Sequence, residues 1–118
     1  MSHHWPIEFR EAVEVVFGRH VDRTTYMMIS RRVDFAMSVW QRRYQMTPKQ
    51  ERYAWELLAW AVRRAGESAS KATKSPYVYL RKAVAHQMER VVHDDTAHEG
   101  FKRRAELVDV TAMLRELA

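Results

Sequence analysis

The chain has 118 residues and a mass of 14.1 kDa, the size of one domain, 1–118. Its 47% hydrophobic and 30% charged residues suit a folded globule rather than a disordered chain. With no cysteine and only three glycines, disulfide scaffolds, thiolate zinc sites, cysteine nucleophiles and Gly-rich phosphate loops are excluded.

The punctuation divides the chain into about five helices, and no clean two-residue alternation bounded by turn residues argues for a strand. The expected fold is therefore all-α, a single-domain helical bundle. The first helix runs from about Pro6 to Phe17. Pro6 suits the opening position and Gly18 the position just past the end. Phe9, Val13, Val16 and Phe17 give it one apolar face.

The second helix runs from about Thr25 to Gln45. Tyr26, Ile29, Val33, Ala36, Met37, Trp40 and Tyr44 form a broad core-facing stripe. Met28, Phe35, Val39 and Met46 form a second stripe on roughly the opposite side, with Arg32 and Arg43 along one edge. One small domain has little protein with which to cover both sides of a helix. Either the first or the fifth helix lies over this second stripe, or another chain does. Exposed apolar patches rimmed by arginine are common interaction surfaces, and methionine adapts to irregular partners.

The third helix has the clearest start. Thr47 reads as N-cap, Pro48 as first residue, and Gln50 closes a Thr-x-x-Gln capping box. Gly66 reads as its stop. Lys49, Arg52, Glu56 and Arg63 crowd one narrow sector. Tyr53, Ala54, Trp55, Leu57, Leu58, Ala59, Trp60, Ala61 and Val62 fill the rest. A helix apolar nearly all round is buried, so 48–65 is expected to form the axis of the bundle, with Trp60 in its core.

Ser75 and Pro76 then cap and open a fourth helix that ends near His93. Tyr77, Leu80, Val84, Met88 and Val91 face inward. Tyr79, Lys82, His86, Glu89, Arg90 and His93 face outward. Thr96 and Glu99 repeat the capping-box pattern, so a fifth helix starts there or just after Gly100. It carries Phe101, Ala105, Val108 and Ala112 on one line, with Leu107, Val110, Leu114 and Leu117 on another.

Catalytic signatures are missing. Thr47, Ser75 and Thr96 have capping roles, no serine sits in a strand–turn–helix elbow, and Glu8, Glu11 and Glu14 share an outer helix face without a cleft. His86 and His93 share a face, but seven residues of helix separate them by about 10 Å, too far for a common ion. His93, Asp94, Asp95 and His98 read as the end of one helix and the cap of the next. No enzyme, metal or cofactor is expected. No apolar run approaches the roughly 18–20 residues of a membrane span, and MSHHWPIEF lacks a signal-peptide pattern. A cytoplasmic protein without membrane contact is expected.

Two function classes remain. The first is a protein-interaction module, a homodimer in its expected form, that docks a regulatory protein through Met28, Arg32, Phe35, Val39, Arg43 and Met46. The Met- and Trp-rich segment YMMISRRVDFAMSVW, followed by ERYAWELLAWAVRR, resembles the QslA family of small helical pseudomonad antiactivators. That resemblance implies binding to a LuxR-type transcription factor such as LasR and disruption of its dimer, an antiactivator role in quorum sensing. The second class is a nucleic-acid-binding or replication-accessory protein. Residues 31–82 hold 12 basic against 4 acidic side chains within a chain of net charge +5, and such a balance steers anionic partners. Lys71, Lys74, Tyr79, Lys82 and Arg90 would carry that contact. The polar stretch from Gly66 to Ser75 is too long for the tight turn of a helix-turn-helix.

Overall fold

The computed structural model describes residues 5–19, 21–69 and 76–117. Among them five helices and no strand are present: α1 (Ile7–Phe17), α2 (Arg23–Arg43), α3 (Pro48–Ala69), α4 (Pro76–Val92) and α5 (Asp95–Leu117). Each boundary has a local cause. Pro6 precedes the first turn of α1, and Gly18 ends it at φ +90°, its N–H returned to the Glu14 carbonyl at 2.8 Å. That φ suits a residue without Cβ.

α2 starts two residues before the expected Thr25. Its N-cap is Asp22, whose Oδ1 accepts from the Thr25 backbone N–H at 2.7 Å. It ends at Arg43, because Tyr44 turns extended. Met46 then takes φ +53°, in the left-handed region that costs an L residue about 1 kcal/mol or more.

α3 opens as the capping box requires. The Thr47 N–H donates to Gln50 Oε1 at 3.1 Å, and the Gln50 N–H donates to Thr47 Oγ1 at 3.3 Å. Gln50 is nearly fully buried, and its Nε2 donates to the Phe101 carbonyl of α5 at 3.1 Å. One glutamine thus closes a helix end and ties two helices together.

Gly66 does not stop α3, which continues to Ala69. A Cβ on Gly66 would lie 2.7 Å from a methyl of Val16. This glycine lets α1 approach α3. Gly100 does the same for α5, since a Cβ there would collide with the ring and hydroxyl of Tyr53. α5 therefore runs unbroken through Gly100. It starts at Asp95, with Asp94 rather than Thr96 at its head, and Asp94 Oδ1 accepts from the Thr96 N–H at 2.8 Å. Ser75 lies outside the described residues.

α3 is the axis of an all-α bundle. It touches each of the other four helices, most extensively α4 and α1, while α2 rests mainly on α4. Its core face is Ala54, Leu58, Ala61, Val62 and Ala65, all fully buried. Small side chains at 54, 61 and 65 let neighbours pack closely. Phe9 and Val13 of α1, Ile29, Val33 and Trp40 of α2, Val84, Met88 and Val91 of α4, and Phe101 of α5 complete the core.

Trp60 departs from the expectation, with 48% of its surface exposed. The polar sector of α3 is wider than the four residues that defined it. Arg64 also belongs to that edge, and its guanidinium lies 5.5 Å from the Trp60 ring centroid. Trp5, close behind the N-terminus, is instead buried. It packs edge-on to Phe9, centroids 5.0 Å apart, and against Tyr26 at 5.0 Å. The tryptophan thus tethers the start of α1 to α2.

Candidate protein-docking surface

α2 buries one side only. Thr25, Ile29, Val33, Ala36 and Trp40 face the bundle. At about 100° per residue the side opposite them carries Arg23, Met27, Arg31, Asp34 and Ser38, with Phe35 and Arg42 adjoining. Met27 is 42% and Phe35 49% exposed. Aspartate 34 is the acidic exception on a side dominated by arginine. An open groove of about 640 Å³ runs here, lined by Arg23, Thr24, Met27, Met28, Arg31, Arg32 and Phe35.

A second groove of about 570 Å³ lies between α1 and α2. Trp5, Val13, Val21, Tyr26 and Met27 give it apolar walls, and Arg10, Glu14, Arg19 and Arg23 give it charge. The two grooves share Arg23 and Met27. They join into one strip, apolar along its floor and rimmed by guanidinium groups.

The six residues singled out from the sequence are divided by this geometry. Met28, Phe35 and Val39 lie about 100° from the core stripe rather than opposite it, and α4 takes that flank; Met46 falls past the end of α2 at Arg43 and so is not on its helical stripe. Arg32 Nη1 donates to Glu89 Oε2 of α4 at 3.4 Å across the exposed α2–α4 edge. Such a pair contributes little to stability, but it marks where α4 lies. Met28, Val39 and Met46 are half-covered, packed against the core cluster. Phe35 and Arg43 are exposed. Neither α1 nor α5 is the helix against that edge.

Met27, Arg23 and Arg31 were missed by sequence reasoning. The signal was present as the i, i+4, i+8 row Met27–Arg31–Phe35, on the side farthest from Ile29 and Val33.

The C-terminal end of α2 is closed by aromatic contacts instead. Tyr44 stacks on Phe101 at 4.5 Å and its hydroxyl hydrogen-bonds His98 Nδ1. Tyr53 meets Phe101 edge-on at 4.9 Å, and Arg104 covers the Tyr53 ring at 3.7 Å. Burial raises the pKa of both phenols, with Arg43 opposing the rise at Tyr44 and Arg104 opposing it at Tyr53. Both rings stay neutral at physiological pH and act as packing elements.

The outer face of α4 places Tyr79, Lys82, His86, Glu89, Arg90 and His93 in solvent, as the periodicity predicted. Lys71 and Lys74 lie outside the described residues. A groove of about 730 Å³ beside this face is lined by His86, Glu89, Arg90, His93, Asp94, Asp95 and Thr96. Among the described residues, no three His, Asp or Glu side chains are grouped to hold a metal ion. No helix among them is long and apolar enough to cross a membrane. No protein-family model, curated protein or solved structure matches the chain.

Proposed function

We propose that this chain is a non-enzymatic protein-interaction module that docks a regulatory protein on the outer side of α2. The observation that carries the reading is the exposed row Met27–Arg31–Phe35, set in an open groove and flanked by Arg23. Aromatic side chains, methionine and arginine are the types enriched at interface centres. Apolar surface held out in water between cations fits a partner helix that is apolar along one line and acidic beside it.

The resemblance to quorum-sensing antiactivators gives the specific form of this proposal. The partner would be a LuxR-type transcription factor such as LasR, and occupancy would block its dimerisation or DNA binding. The test is Phe35→Glu, measured by co-purification and calorimetric titration with a purified LuxR-type regulator. The expected result is an unchanged helical circular dichroism spectrum and affinity reduced at least about tenfold, as for an interface anchor. Unaltered affinity would sink the reading.

The alternative, nucleic-acid binding through Tyr79, Lys82 and Arg90, has weaker support. Glu89 lies among these residues, and Asp94 and Asp95 border the adjoining groove, so the surface offered to a phosphate backbone is of mixed sign.

A further inference from the structure

α1 and α2 present the same spacing to the groove between them. Arg10, Val13 and Glu14 line it from α1, and Arg23, Tyr26 and Met27 line it from α2. Each set falls at positions i, i+3 and i+4, which share one helix face. Arg19 and Val21 join the lining from the connection, and Trp5 joins it from ahead of α1. α1 packs mainly on α3 and α2 mainly on α4, so side chains wall the space between α1 and α2 without filling it. Trp5 and Val13 are buried, and Val21 and Tyr26 are half-buried. Trp5 is fixed between Phe9 and Tyr26, each at 5.0 Å. The groove therefore has a set apolar floor. Its volume of about 570 Å³ falls within the roughly 300–1,000 Å³ usual for small-molecule sites.

The charges around this floor do not balance. Three guanidinium groups, of Arg10, Arg19 and Arg23, face one carboxylate, that of Glu14. All four side chains are exposed, and among the described residues no ion pair engages any of them. Arg23 is also the first residue of α2, whose first turn holds no acidic residue. That end of a helix carries partial positive charge and favours an anion over a cation. Asp22 does not line the groove; its Oδ1 accepts from the Thr25 N–H. Surplus positive charge thus stands directly beside apolar wall. An arginine fork matches a carboxylate with two parallel N–H···O bonds, and the floor takes whatever apolar body the carboxylate carries.

We propose that the α1–α2 groove binds a small amphipathic carboxylate, with its apolar body on Trp5, Val13, Val21 and Tyr26 and its head among the guanidinium groups of the rim. The site is separate from the docking row, because neither Arg31 nor Phe35 lines it. The proposal holds whether or not a regulatory protein docks on α2.

Titration of the full chain with octanoate and with naphthoate at neutral pH, followed by two-dimensional amide NMR, tests this. At least one of the two should give saturable shifts of the Trp5 indole N–H and of the Arg19, Val21 and Arg23 amides. Octanol keeps the tail without the charge, and acetate keeps the charge without the tail. Each should bind at least about tenfold more weakly than octanoate. Arg10→Gln/Arg23→Gln should weaken carboxylate binding at least about tenfold and leave circular dichroism unchanged, because both side chains are exposed. Arg19→Gln, outside both helices, should weaken it several-fold and keeps the test decisive if the double variant folds poorly. Phe35→Glu should bind the carboxylate as wild type does.

No saturable shift with either carboxylate overturns the proposal, as does octanol that binds as tightly as octanoate. Arginine variants that bind like wild type overturn it as well. Affinity lost in Phe35→Glu as fully as in the arginine variants would put the ligand on the α2 row and overturn it too. Regulator binding through Phe35 with no carboxylate in the groove removes this site and leaves the docking reading standing; carboxylate binding without a regulator does the reverse.

Discussion

Gly100 is where a single methyl group would have the largest consequence. A Cβ there meets the Tyr53 ring. That ring has no free direction, because Phe101 packs against it edge-on at 4.9 Å and Arg104 covers it at 3.7 Å. Arg104 is itself held by the Gly100 carbonyl at 3.0 Å. Gly100→Ala should therefore destabilise by about 1–3 kcal/mol, the usual cost of overpacking, despite the better helix propensity of alanine. Chemical denaturation read by tryptophan fluorescence would measure it, and a variant at least as stable as wild type would show that α5 does not press on α3. The sequence makes some residues of this kind legible and hides others. Thr47 and Gln50 announced their capping box because both partners lie within one turn. Gly66 and Gly100 read as breakpoints because a glycine in isolation signals chain freedom. Their actual partners, Val16 and Tyr53, are about fifty residues away in sequence, and no local pattern records such a contact.

At the scale of the element, periodicity identified the inward side of α2 well and its outward side poorly. Ile29, Val33, Ala36 and Trp40 were legible as the core side of α2, because burial repeats with the helical turn. What covers the flanking Met28 and Val39 depended on packing order, and neither helix expected there lies against it. Trp40 of α2 and Trp60 of α3 make the difference measurable. Trp40 is 2% exposed and meets Phe101 at 5.2 Å, whereas Trp60 is 48% exposed beside Arg64. Trp40→Ala should cost about 3–5 kcal/mol, as buried aromatic truncations do. Trp60→Ala should cost roughly 1 kcal/mol, from partial apolar burial and a surface cation–π contact. Paired urea titrations of the two variants would check this, and equal losses would return Trp60 to the core. The docking row had the same partial legibility. Phe35 stood out because an aromatic away from the core stripe is conspicuous. Met27 did not, because one methionine between two polar turns resembles ordinary surface.

Across the whole molecule, charge sign separates the two kinds of partner. The excess of arginine in the central segment attracts anions of any class, so net charge alone does not choose between a nucleic acid and a protein. The local arrangement separates them: along α2 arginines alternate with exposed Met27 and Phe35 in an open groove, whereas on α4 Glu89, Asp94 and Asp95 interrupt the cations. An interface built on that row would gain attraction at its rim but most of its hold from Met27 and Phe35. Salt screens exposed charges over a Debye length of about 10 Å at 0.1 M and leaves apolar contact intact. Raising salt from about 50 to 200 mM should therefore weaken binding of a protein partner on α2 only several-fold, whereas displacing 6–10 phosphate contacts would cost roughly a thousandfold or more. Fluorescence anisotropy with a labelled regulator and with a labelled duplex, run over one salt series, puts both on the same scale. A steep loss of duplex binding from a strong low-salt value, with regulator binding absent throughout, would move the active surface from α2 to the Tyr79–Arg90 face of α4. Regulator binding with a shallow salt dependence, lost in Arg31→Glu, would keep it on α2, where one guanidinium sits between two exposed apolar side chains.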